Sequence, residues 1–213
     1  MSEELGRIEK PEAEKVRGKK KLFLVPLLFS SDDSPKEYLE KYELYWQQVS
    51  EHISNLESKT GAVRQVYHEA VASGGEEGLK LLEKLNPKSH QITKEKCQAG
   101  AELQTTEDRE LADESMDLER HLLYGFFSQK VAKIISDLYL EVQKKRYEYI
   151  NQKIDQTLKD GEAAILFIRE NHRMQFKPDI EVFSVAPPAL DEIHRWLREA
   201  TSKDIKDKKD GVG

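Results

Sequence analysis

The sequence predicts an α/β protein: a mixed or mainly parallel sheet of about four to five strands, with a long helical insertion before the last two. Three observations carry this. Short apolar or β-branched segments, at residues 22–29, 63–67, 164–168 and 180–185, lie between turn residues. Segments with apolar residues at three- and four-residue steps separate them. The stretch 107–159 is dense in helix formers and contains no proline. A chain of 213 residues is long enough for one domain with its own core. That domain is expected over 21–200, with the helical insertion at 106–160. The charged ends, 1–20 and 201–213, lack apolar periodicity and are expected as a flexible arm and a flexible tail.

Each element has a local reason. "KLFLVPLLF" is continuously apolar, the pattern of a strand covered on both faces. Pro26 removes a ladder donor, which places that strand at a sheet edge or at a bulge. "SSDDSPKEYLEKY" opens a helix. Asp33 or Ser34 caps it, Pro35 suits its first position, and Glu37 meets the positive end of the helix dipole. Leu39, Tyr42, Trp46, Val49, Ile53 and Leu56 form its buried stripe, and Gly61 ends it. "AVRQVYHEAV" is a second strand. "SGGEEGLKLLEKLNP" is a short helix from Gly75 that stops before Pro87. "HQIT" and "GAEL" are expected as short strands.

In the insertion, Leu111, Leu118, Leu122, Phe126, Val131, Ile134, Leu138 and Val142 keep a helical period. Gly125 divides it into two long helices or one kinked helix. Residues 122–142 are apolar around most of the circumference. They need cover from a second long helix, of this chain or of a second copy. "AAILFI" and "IEVFSVA" are the last strands, and "PPALDEIHRWLREA" is the closing helix.

With 38% hydrophobic and 35% charged residues and a net charge of −6, the chain has a wet surface that disfavours nucleic acid as a partner. Its longest apolar run, residues 22–29, is far short of the roughly 20 residues a membrane helix requires. No secretory leader pattern opens it, so a cytoplasmic protein with no membrane partner is expected. Cys97 is the single cysteine, which excludes an internal disulfide and a cysteine zinc cluster. No base lies near it in sequence, so it reads as a structural thiol.

Three motifs carry possible chemistry and read more simply as structure. "SGGEEG" precedes a helix, but Glu76 and Glu77 stand where a phosphate would sit, and no Lys-Ser/Thr pair follows. Glu110, Glu114, Asp117 and His121 share one helix face without the Glu-x-x-His pair of helical metal sites, so no metal is expected there. The run from Lys144 to Lys153 interleaves Tyr147 and Tyr149 with bases, as single-strand binders do. Glu141, Glu148 and Asp155 interrupt its positive charge.

The strongest candidate is the rim beyond the carboxyl ends of the strands. In a parallel sheet, "SSDDS", "YHEAVASGG" and "IRENHRMQF" bring Asp32, Asp33, His68, Glu69, Arg169, Glu170, His172 and Arg173 to one edge. Histidines with carboxylates suit a divalent metal, and arginines suit an anion. In this arrangement His172 is the proton-active or ligating group, His68 the second ligand or donor, and Arg173 the neutraliser of an anionic ligand. The same residues would equally furnish a wet loop.

No Gly-x-Ser-x-Gly elbow, His-Glu-x-x-His pair or kinase signature is present. The sequence reads first as a protein that binds a partner in a regulatory or scaffold role, with self-association through the long helix, as a homodimer, within that reading. A small enzyme acting on an anionic substrate or metal-bound ligand at the rim comes second. A translation- or RNA-associated factor comes third. No cofactor is indicated.

Overall fold

The computed structural model describes residues 18–69 and 71–210, without the side chains of 201 and 203–210. Most of the expected N-terminal arm therefore lies outside the described residues. The elements run β1 (Lys20–Pro26), α1 (Lys36–Thr60), β2 (Val63–His68), α2 (Gly75–Leu85), α3 (Pro87–Gln98) and β3 (Glu102–Leu103). They continue with α4 (Arg109–Tyr124), α5 (Gln129–Thr157), β4 (Ala163–Ile168), β5 (Ile180–Ser184) and α6 (Pro188–Asp210). The expected C-terminal tail overlaps the end of α6, which runs to Asp210.

The five strands form one sheet in the order β3-β2-β4-β1-β5, with every pairing parallel. The α/β class, the parallel sheet and the helical insertion ahead of the last two strands all follow the sequence pattern. "GAEL" contributes the two-residue β3, but "HQIT" lies inside α3. There the Asn86 side chain accepts the Ser89 N–H and Pro87 occupies the first turn, a start signal that outweighs the β-propensity of Ile92 and Thr93.

Two further expectations are corrected. β1 lies between β4 and β5, not at an edge. Its pairing with β5 ends at Leu24, and Pro26 is the last residue of the ladder with β4, so the missing donor falls where the strand is finishing. Helix α1 begins at Lys36 with Pro35 in the cap position and no side-chain cap. The Ser34 hydroxyl instead accepts the Ser31 N–H at 2.9 Å.

The sheet separates two cores. On one face Phe23, Val25, Val66, Ile165 and Phe167 pack against α1 (Tyr45, Trp46, Val49, Ile53), α3 (Ile92) and α6 (Ala189, Ile193). On the other face Leu22, Tyr67, Ala164 and Leu166 are covered by Ile150 and Ile154 of α5 and by Met174 of the loop after β4. Burial on both faces explains why "AAILFI" is apolar at every position. The connections from β1 to β2 to β3 step toward one edge with α1–α3 on the first face. Those from β3 to β4 to β5 step back with α5 on the second, as right-handed crossovers require. β2 and β4 are therefore neighbours whose outgoing chains depart in opposite directions, and this is where an open α/β sheet forms a crevice.

Helices α4 and α5 make an antiparallel hairpin broken at Gly125, whose φ of 74° suits glycine. Its inner stripe, Ser115 and Leu118 facing Val142, Gln143 and Arg146, is buried. No residue from 119 to 141 is buried. The cover expected around the whole of 122–142 is thus provided on one side only, by α4.

Ile150 holds α5 to the sheet and is fully buried. Ile150→Ala should lower unfolding free energy by about 2–5 kcal/mol in urea titration. A loss below about 1 kcal/mol would show that α5 is not the cover of that face.

Candidate functional site at the strand switch point

β2 ends at His68 and β4 at Ile168, and the ladder sets His68 beside Phe167. The next residues, Glu69 and Arg169, consequently leave adjacent strands together. One Glu69 carboxylate oxygen, Oε2, accepts the Arg169 N–H at 2.8 Å. The other, Oε1, lies 3.4 Å from Arg169 Nε and 3.6 Å from Arg146 Nη2.

Arg146 arrives from α5 and closes the cluster. Its Nε donates to Glu107 Oε2 at 3.0 Å and its Nη2 to the other Glu107 oxygen, the forked geometry that suits guanidinium and carboxylate. Nη1 donates to Ser115 Oγ at 3.1 Å and to Gln143 Oε1 at 3.2 Å, and Gln143 Nε2 donates to the same serine at 2.7 Å. Arg169 Nη1 donates outward to Glu119 at 3.2 Å. The loop carrying Glu107 is pinned to the exit of β2, because the Thr106 and Glu107 N–H groups both donate to the Val71 carbonyl. The Thr106 hydroxyl donates to the His68 carbonyl.

Glu69, Glu107 and Arg146 are almost wholly buried. Burial pushes the Glu69 carboxyl above its usual range, against the pull of Arg169 and Arg146. Burial also works against the charge on Arg146, but Glu107 and Glu69 outweigh it and hold the guanidinium above its ordinary value. Breaking such a buried pair typically costs about 3–5 kcal/mol.

The other expected rim residues part company. His68 turns to the α1 face, its ring tilted against Phe167 with centroids 5.4 Å apart. Its Nδ1 donates to the Glu69 carbonyl, so in the neutral ring Nε2 accepts from the Ser89 hydroxyl at 2.9 Å. Burial lowers its pKa to about 4. His172 lies on the α5 side beside Phe176, where Nδ1 accepts the Met174 N–H at 3.3 Å and burial lowers its pKa. The two histidines therefore sit on opposite faces. Glu170 pairs with His194 of α6 at 2.8 Å. Asp32, Asp33 and Arg173 are exposed. Of the eight rim residues, Glu69 and Arg169 are the pair brought together.

Sequence reasoning missed Arg146, Glu107, Ser115 and Gln143. One signal was present: Val142, Arg146, Ile150 and Ile154 recur every four residues, so the arginine stands on the buried stripe of α5. A charge there requires a partner.

Above this cluster a cleft of about 540 Å³ opens between α2 and α4, with Arg146, Arg169 and Ser115 on its floor. The wall formed by α2 is set by close packing on β3. A Cβ at Gly78 would meet the Ser73 carbonyl at 2.2 Å and the Leu103 side chain at 2.9 Å. Gly74 and Gly78 of "SGGEEG" thus serve close contact with Ser73 and Leu103, and Gly75 serves a left-handed φ of 61°, with Glu76 and Glu77 exposed in the first turn of α2.

Among the described residues no group of three or more His, Cys, Asp or Glu is placed to hold a metal ion. Glu110, Glu114, Asp117 and His121 are exposed on α4. In the basic run, Lys144 pairs with Glu148, Lys145 with Glu141, and Lys153 sits 5.1 Å over the Tyr149 ring. Cys97 is half-buried, and burial raises its thiol pKa. Among the described residues no helix is long and apolar enough to cross a membrane. Comparison with family models, curated proteins and solved structures finds no match to this chain.

The burial of His68 sets a pH dependence. The unfolded imidazole, near its ordinary 6.5, takes up a proton before the folded one at about 4. This contribution is complete above pH 6.5 and declines as pH falls toward 4, by about 2 kcal/mol between pH 7 and pH 5. Urea titrations at the two pH values should show a smaller loss in His68→Gln than in the native chain, the difference separating His68 from the shifted Glu69 and His172.

Proposed function

We propose that this protein works by association, in a regulatory or scaffold role, and that its α4–α5 hairpin docks on a second copy of the chain. One observation carries the reading. Phe127, Val131, Ile134 and Leu138, spaced four, three and four residues apart, are 113%, 44%, 54% and 38% exposed. Val131, Ile134 and Leu138 follow the spacing of a coiled-coil seam along α5, and Phe127 stands in the turn just before the helix. Leu123 and Tyr124, each 83% exposed, extend it at the turn. Single exposed apolar side chains are ordinary, but a continuous patch on a projecting element marks a contact surface.

Magnitude and charge favour a second copy as the occupant. The two aromatics offer about 150–250 Å² each, and with the partly exposed aliphatic side chains the patch approaches the roughly 800 Å² that one partner contributes to a standard interface. The flanking charges are paired inside each hairpin, Arg120 with Asp117 and Lys133 with Asp137. Two identical faces can meet without strong repulsion, and little net charge remains to attract an anionic membrane. An enzymatic role draws less support. Glu69 and Arg169 are engaged with each other and with Arg146, and the two rim histidines lie on opposite faces.

Light scattering on the eluting full chain should give twice the mass of one chain. Combined Ile134→Lys and Leu138→Lys substitution should return it to a monomer with an unchanged far-ultraviolet spectrum. A wild-type chain that stays monomeric at millimolar concentration would overturn the self-association reading.

A further inference from the structure

The cleft between α2 and α4 is separate from the exposed seam, and its lining has a chemical character of its own. Three cations stand at its mouth: Lys80 and Lys84 on α2, and Arg109 at the first residue of α4. Two of the three repel one another. Lys80 and Lys84 are four residues apart, so two like charges share one helix face. Arg109 sits at the positive end of the α4 dipole, which the Asp108 cap and Glu110 partly offset. Among the described residues none of the three makes an ion pair. Glu77, Asp113 and Glu119 also line the cleft, Asp113 one turn from Arg109 without pairing to it and Glu119 paired with Arg169. In a chain with net charge −6, this is a local gathering of positive charge.

Beside the cations the walls are apolar. Leu81 and Leu85 of α2 and Met116 of α4 are all exposed to the cleft space. The volume of about 540 Å³ falls in the range of small-molecule sites, about 300–1,000 Å³. The position over the diverging ends of β2 and β4 is where open α/β sheets take ligands. The floor is rigid, since Arg146 and Arg169 are tied to Glu107, Glu69 and Glu119, and a pre-positioned floor is what a binding site needs.

We propose that this cleft binds an organic anion with an apolar body. Its phosphate or carboxylate head sits between Lys80, Lys84 and Arg109, and its body lies on Leu81, Leu85 and Met116. The head relieves the repulsion between the two lysines and satisfies the cation at the start of α4. The body takes three exposed apolar side chains out of water. This site does not depend on association through the hairpin.

The test is calorimetric titration of the full chain with decyl phosphate, decanoate and the neutral decyl glucoside, all below their micelle concentrations. At least one acid should bind tenfold or more tightly than the glucoside, and the tighter of the two identifies the head. Combined Lys80→Gln and Arg109→Gln substitution should weaken that binding at least tenfold with an unchanged melting temperature. These exposed side chains make no ion pair that holds the fold. An amphiphile lodged on the apolar hairpin tip would not respond to that change, and the Ile134→Lys, Leu138→Lys chain should keep the acid binding. Equal binding of the glucoside, no binding of either acid, or unchanged affinity in the glutamine variant would overturn the proposal. None of these results would alter the mass measured by light scattering, so the two readings fail separately.

Discussion

A guanidinium inside a protein must be paired on almost every side, and Arg146 is such a group. It stands on the stripe of α5 that also carries Val142, Ile150 and Ile154, so covering the sheet with those side chains takes the arginine out of water. The carboxylates that receive it come from separate parts of the chain: Glu107 from the loop before α4 and Glu69 from the exit of β2. Hydrophobic burial supplies the attraction between α5 and the sheet, but it is non-directional. The forked hydrogen bonds choose one height and one rotation of the hairpin. Fixing that base places α4 across from α2 and creates the cleft between them.

The same placement explains the open seam. The C-terminal half of α5 lies on the sheet, where Ile150 and Ile154 are fully buried, and the Tyr67 hydroxyl meets the Thr157 hydroxyl at 2.6 Å. Toward its N-terminus the helix passes beyond that support and has α4 alone beside it. One helix covers one stripe. The residues of 122–142 that face away from α4 therefore meet solvent, although their side chains are as apolar as those of a core. An apolar pattern around most of a helix normally marks burial on several sides. Here the cover of the second side belongs to the partner in the association we propose.

The parts of this fold that were legible in the sequence are those decided by local pattern and burial together. "AAILFI" reads as a covered strand because every one of its residues is buried, and Gly125 reads as a break because α4 must end there. "HQIT" misleads because the capping signal at Asn86 and Pro87 comes before it and dictates a helix. Pro26 misleads because a missing donor matters only where a neighbouring strand is still pairing. At the rim, the parallel register carries Glu69 to Arg169. Alternation sends His68 to the opposite face from the charge cluster, and the chain after β4 carries His172 with Met174 toward α5. Consecutive residues at a strand end cannot all converge on one point. Arg146 was hidden within a run of alternating charges, where only its four-residue spacing from Val142 and Ile150 distinguished it from its exposed neighbours.

The central claim is that the buried charges hold the base of the hairpin on the sheet, while apolar packing, with the Tyr67–Thr157 and Lys177–Asp155 contacts, holds the C-terminal half of α5. Hydrogen exchange resolved along the chain separates these two forces, because local openings expose one region and leave another protected. With Arg146→Met, the account predicts loss of amide protection across 109–141, with residues 150–154 and the strands still protected. Unchanged protection in 109–141, or an equal loss everywhere including the strands, would contradict it.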